Sequence, residues 1–163
     1  MKINKKNDKN RKSNKIMMGI VTVMIAFCIL ANVDSAFASN ADSDWSFNLL
    51  QNELSYHYTD TRVKDSDSKY YFYWSGSLNT ISQIHIIPLG RKSISGDRVP
   101  CCRQGSTAIT EVTAKNRGQY RITNYVKENG YSYACIGMRG AKGSGTASGK
   151  WSPDTGTNYP ILY

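Results

Sequence analysis

Lys69-Tyr70-Tyr71-Phe72-Tyr73-Trp74, then Ser75-Gly76-Ser77, then Leu78 to Ile87 is the stretch that decides the fold. Five successive aromatics are a strand composition, because flat rings pack across a pleated surface. In the second half Leu78, Thr80, Ser82, Ile84 and Ile86 share one face of a two-residue period, with His85 on the other. A glycine-containing loop between two such segments predicts a hairpin.

The same pattern continues on both sides. Upstream, Trp45 to Leu49 alternates apolar and polar, Glu53 to Tyr58 follows in the same style, and Thr59 to Ser68 is a loop rich in Asp and Ser. Downstream, Pro88 to Gly105 reads as a connecting loop with room for one short strand. Thr107 to Ala114, Gly118 to Val126 and Tyr131 to Met138 read as strands separated by Lys115-Asn116-Arg117-Gly118 and Glu128-Asn129-Gly130. Asn-Gly between alternating segments is a strong hairpin signal, since both residues tolerate positive φ. Gly137, Gly140, Gly143, Gly145 and Gly149 predict a flexible loop or a wide-open hairpin before a last strand, Thr146 to Trp151. Ser152-Pro153-Asp154-Thr155-Gly156 is turn chemistry, and Thr157 to Tyr163 reads as an edge segment. No sustained helical period and no repeat of fixed length appears. The expected fold is all-β: a single small antiparallel β-sandwich or barrel-like domain after an N-terminal signal peptide.

The leader reading rests on charge and hydropathy. Of the net +9, residues 1–38 supply +5, from seven Lys or Arg against two Asp. Lys2 to Lys15 form a basic region, Ile16 to Val33 carry no charge, and Ala36-Phe37-Ala38 offers signal peptidase small residues at alternate positions. Cleavage is expected after Ala38, which leaves a secreted domain of residues 39–163; the alternative is a membrane anchor formed by residues 16–33. Cys28 follows the bulky Phe27 in mid-run, which disfavours lipidation.

Removal of the leader leaves Cys101, Cys102 and Cys135, an odd count for an exported chain. The expected bridge joins Cys101 or Cys102 to Cys135, with Cys102–Cys135 taken as the pair. Closing that loop of about 33 residues would restrict the unfolded chain by about 4 kcal/mol. The spacing does not suit paired thiolates on zinc. Asp65-Ser66-Asp67-Ser68 opens like a calcium loop, but Lys69 follows and no glycine or terminal glutamate completes it. His57 and His85 are the only histidines, and no nucleophile elbow, metalloprotease pair or phosphate loop is present. An enzyme would have to be a thiol-dependent hydrolase or transferase using Cys135 or Cys102 with a histidine.

Charge and aromatics say more. From Ser68 onward four acids face twelve bases, and Arg91, Lys92, Arg98 and Arg103, with Arg139, Lys142 and Lys150, could form anion-attracting loops. Eleven Tyr and three Trp all lie beyond the leader. Each ring has an apolar face and a polar edge, which suits sugar stacking and membrane interfaces as well as ordinary cores. The candidate binding residues are therefore Tyr71, Tyr73, Trp74, Arg91, Lys92, Arg103, Arg139, Lys142 and Trp151. No catalytic residue, metal ligand or small-molecule cofactor is indicated.

The leader, Trp45-Ser46-Phe47 opening the domain, the aromatic strand at Trp74 and the closing Gly149-Lys150-Trp151-Ser152-Pro153-Asp154 resemble an uncharacterised family of small exported proteins of Gram-positive bacteria, a domain of unknown function. This chain departs from that family in its three cysteines. A looser likeness is to lactococcin-type bacteriocins. The resemblance brings no catalytic residues with it; the aromatics and the basic loops together make the expected function that of a non-enzymatic secreted protein that binds the cell surface or envelope, in its sharper form an antimicrobial. The polyanions outside such a cell are wall polymers and lipid headgroups, so the expected partner is an anionic cell-wall polymer or membrane surface and not nucleic acid.

Overall fold

In the computed structural model, which describes residues 42–77 and 80–162, the described residues form strands and no helix. The strands are β1 (Ser43–Leu49), β2 (His57–Tyr58), β3 (Arg62–Val63), β4 (Tyr70–Ser77), β5 (Gln83–Arg91), β6 (Val99–Pro100), β7 (Val112–Ala114), β8 (Gly118–Ile122), β9 (Tyr133–Lys142), β10 (Gly145–Ser152) and β11 (Ile161–Leu162). A front sheet runs β1-β10-β4-β8-β11 and a back sheet runs β2-β9-β5-β6, with β3 also on β9 and β7 also on β5. All pairs are antiparallel except β8 with β11. The fold is all-β, two sheets not closed into a barrel. The leader and the alternative anchor at residues 16–33 lie outside the described residues.

Alternation places the core. Trp45 and Leu49 on β1, Phe72 and Trp74 on β4, Ile122 on β8 and Ala147 and Trp151 on β10 point inward from the front sheet. They meet Ile84 and Ile86 of β5, Ala114 of β7, and Ala134, Ile136 and Met138 of β9. The Tyr70 hydroxyl donates to the Leu89 carbonyl at 3.0 Å, a buried polar tie from front to back. On the outer side of the back sheet Ile87, Leu89 and Cys135 form a second cluster, covered by Tyr56 and Cys102.

The three expected hairpins are corrected. β4 and β5, β7 and β8, and β8 and β9 each join opposite sheets, so their strands face one another across the core and do not pair side by side. The physical reason is that the strands on either side of each reversal contribute buried residues to the same core: Tyr70, Phe72 and Trp74 with Ile84 and Ile86, Ala114 with Ile122, and Ile122 with Ala134, Ile136 and Met138. Turn chemistry reports that the chain reverses; the apolar faces decide whether the two arms share a sheet. At Asn129-Gly130, where Gly130 has φ 78°, the Asn129 and Tyr131 amides bond to the Tyr125 and Val126 carbonyls instead of starting a ladder.

The glycine stretch is also different from a flexible loop. β9 continues to Lys142 and β10 begins at Gly145, leaving a two-residue turn. Gly143 has φ 77°, and a Cβ there would collide with the Thr80 carbonyl. Between β10 and β4 the register shifts after Ser148, which pairs with Gly76 while Gly149 pairs with Trp74, so Ser75 is bulged out. Gly149 is required at this point because a Cβ would strike the Tyr73 carbonyl oxygen.

Candidate functional site

The two outer faces differ in what covers them. The back sheet carries the second cluster and the segments over it, whereas the front sheet presents a row of side chains to solvent. In that row Asp44 of β1, Lys150 of β10, Tyr73 of β4 and Gln119 of β8 are direct cross-strand neighbours. Lys150 pairs with Asp44 at 3.0 Å, and Gln119 accepts from the Tyr71 hydroxyl at 3.2 Å. The next row holds Ser152, Tyr71 and Arg121.

Tyr159, from the segment after β10, lies 5.3 Å from Tyr71 between ring centroids and leaves Tyr71 buried. Burial pushes the Tyr71 hydroxyl up to about 12, and nearby Asp42 is also raised by burial. Tyr71 and Tyr159, with Asp42, Asp154, Thr155 and Thr157, line a hollow of about 250 Å³. A shallower hollow of about 420 Å³ lies over the bulge, between Asp44, Ser46, Ser75 and Ser148. The front face therefore offers one exposed ring edge, hydroxyls, a carboxamide and paired charges, flanked by two depressions.

The candidate binding residues separate on this framework. Trp74 and Trp151 are core, 1% and 0% exposed, so neither ring is presented to a ligand. Tyr71 and Tyr73 sit on the front face. Arg91 is buried, donating to the Gly96 carbonyl at 2.6 Å and to the Thr61 hydroxyl. Arg139 is held on the back face: its guanidinium grips Glu111 at 2.5 and 2.7 Å and the Glu53 carbonyl at 2.6 Å. Lys92, Arg103 and Lys142 are exposed, on the β5–β6 loop, just after β6 and at the end of β9.

The histidines and thiols do not meet through any described hydrogen bond. His57 contacts Glu53 at 2.8 Å and His85 contacts Thr113 at 3.0 Å. Among the described residues the three cysteines are free thiols, Cys101 in the main core and Cys102 and Cys135 in the outer cluster. Burial raises the pKa of each, that of Cys101 to about 11, which holds the less nucleophilic thiol form. Beside them the Tyr56 hydroxyl donates to Glu111, whose carboxyl is held down chiefly by Arg139.

A second polar centre had no signal in sequence patterning. Lys64 and Asp154, ninety positions apart, meet at 2.7 Å with side chains 0% and 5% exposed. The loop that opens like a calcium site serves this pair: the Ser66 and Ser68 hydroxyls and the Asp65 and Ser66 amides all donate to the Asp154 carboxylate. Among the described residues no group of three or more His, Cys, Asp or Glu is arranged to hold a metal ion.

No curated protein and no solved structure matches this chain. A family model, described as a protein of unknown function (DUF2712), matches residues 33–155, a span that takes in both front-face tyrosines, Lys64 and Asp154 and stops short of Tyr159 and β11. With most of its length covered by that match, the chain belongs to the DUF2712 family.

Proposed function

We propose that this domain is a secreted, non-enzymatic binding module that engages a cell-envelope polymer through the open face of the front sheet. The observation that carries this reading is the uncovered row Asp44, Lys150, Tyr73 and Gln119 between two hollows, beside the Tyr71–Tyr159 pair. Tyrosine rings stack on the C–H faces of sugars, while carboxamide, hydroxyl and carboxylate groups satisfy sugar hydroxyls. Arg121, whose Nε donates to the Tyr159 carbonyl at 2.6 Å without a paired carboxylate among the described residues, and Lys150, paired with the exposed Asp44, are the cations of this face. Arg91 is buried and Arg139 is ion-paired with Glu111 on the back sheet, which favours this face over the basic segments that contain them.

Export, with cleavage after Ala38, belongs to the same proposal, and in an oxidising compartment Cys102 and Cys135 are the pair expected to bridge, since both pack in the outer cluster. The test is co-sedimentation of the purified chain with isolated envelopes of a Gram-positive bacterium. Tyr73→Ala and Tyr159→Ala should each weaken binding about tenfold, the effect of losing one well-packed aromatic contact of about 1.4 kcal/mol. Lys92→Ala and Arg103→Ala should leave it unchanged. Equal binding by wild type and both tyrosine variants, all folded, would remove the front face from the account.

A further inference from the structure

We propose that Lys64 and Asp154 close an intramolecular amide between Nζ and Cγ, tying the loop after β3 to the segment after β10. The two groups are already in direct contact. Nζ lies 2.7 Å from Oδ1, and with a C–O bond of about 1.2 Å it can be no more than about 4 Å from Cγ. Both side chains are largely buried, 0% and 5% exposed, with Asp154 reaching the floor of the front-face hollow, through which the released water can leave. Holding the two reactants in contact removes the entropic cost of bringing them together.

The surroundings act in both directions: three acceptors at 2.6–2.7 Å match the three protons of the ammonium, while burial favours the neutral amine. The other two contacts of Nζ are neutral carbonyls, Ser68 at 2.6 Å and Pro153 at 2.6 Å, and the Tyr70 ring stands 5.4 Å away. Burial pushes the Lys64 amine down, which favours the uncharged nucleophile, with Asp154 pulling the other way. Burial also pushes the Asp154 carboxyl up, but Lys64, Ser66 and the Asp65 amide outweigh it and hold it below the ordinary 3.8. On Oδ1 the Ser66 amide and the Ser66 and Ser68 hydroxyls converge at 3.2, 2.6 and 2.8 Å. A salt bridge with Lys64 alone would not require three further donors on one oxygen. They are placed to take up charge as that oxygen becomes the oxyanion of a tetrahedral intermediate. Asn124 donates to the Ser68 carbonyl at 3.0 Å and fixes the loop that carries them.

The reaction balances without a co-reactant. The ammonium gives one proton to the carboxylate, which leaves a neutral amine and a neutral acid. The nitrogen lone pair adds to Cγ, the C–Oδ2 bond breaks, and Oδ2 departs as water with that proton and a second one from nitrogen. The product is a secondary amide whose carbonyl oxygen is Oδ1; nothing is oxidised or reduced.

Peptide mapping of the purified full chain tests this directly. A tryptic digest should contain Val63–Lys69 joined to Trp151–Tyr163, uncut after Lys64 and lighter than the two peptides together by one water. The intact chain should show the same loss of one water, absent from Lys64→Arg. Separate peptides with free Lys64 and free Asp154 throughout the folded wild type, after prolonged incubation, would overturn the proposal. So would a loss of water that persists in Lys64→Arg, because it would then arise elsewhere, as in cyclisation of an aspartate. The wild-type map decides even if the variant fails to fold.

Discussion

Substituting Arg139 by Met should cost about 2–3 kcal/mol of stability, although charge patterning alone marks this arginine as a surface binding residue. The guanidinium forms a two-point contact with Glu111 and a third with the Glu53 carbonyl, and it lies 5.7 Å from the Tyr56 ring centroid. Its side chain is 22% exposed and that of Glu111 16%. Exposed ion pairs contribute up to about 1 kcal/mol, and removing one partner of a buried pair costs about 3–5 kcal/mol; four-fifths shielding puts this pair between them. Much of the cost is Glu111, left with the Tyr56 hydroxyl and the His85 ring 4.0 Å away. Arg139→Met combined with Glu111→Gln should therefore cost less than the sum of the single changes, by about 1–2 kcal/mol.

The acid side has a definite sign. Glu111 is held below its ordinary 4.5 chiefly by the Arg139 hydrogen bond. A carboxyl depressed in the folded state stabilises fully above its unfolded value, and the contribution is lost as pH falls through the folded one. The wild type should lose this contribution as pH falls below the ordinary 4.5 and through the lower folded value, and Arg139→Met should lose less over the same range. Urea unfolding followed by tryptophan emission is a suitable assay, since Trp45, Trp74 and Trp151 are all buried and become solvated together. A variant within about 0.5 kcal/mol of wild type, with the same pH slope, would refute the structural role and return Arg139 to the surface.

Two further predictions follow from the packing. Gly149→Ala should lower stability by about 3 kcal/mol or prevent folding, because the added methyl meets the Tyr73 carbonyl at the bulge; a urea midpoint like that of wild type would contradict the bulge geometry. In the reduced chain Cys101 and Cys135 should resist a thiol-labelling reagent at neutral pH until urea unfolds the domain, with partly exposed Cys102 reacting slowly; rapid labelling of one cysteine in the native chain would instead reveal an activated thiolate.

The strands were legible because their signal is local. Alternation and aromatic composition mark β1, β4, β5, β8 and β10 without knowledge of any partner. Which strands share a sheet was not legible, since an Asn-Gly or Ser-Gly-Ser reversal has the same residues whether its arms pair or lie on opposite sheets. For Tyr70 to Trp74 the periodicity defines two faces but does not say which faces inward. The answer came from Ile84, Ile86 and Trp151, distant partners that select Phe72 and Trp74 for the core and leave Tyr71 and Tyr73 outside. Counting charges likewise overstates the basic loops, because Arg91 and Arg139 are consumed by a backbone carbonyl and a glutamate that only the fold brings near. The Lys64–Asp154 centre lay furthest out of reach: the loop that surrounds it resembles a failed metal site, and its other half is ninety positions away.

The central claim is that the front face is the binding face, and backbone amide NMR of the domain titrated with solubilised wall polymer tests it most directly. Shifts confined to β1, β4, β8 and β10 and the segment around Tyr159 are the predicted result. Shifts clustered on β5, β9 and the loop from Lys92 to Arg103, or none at all, would contradict it.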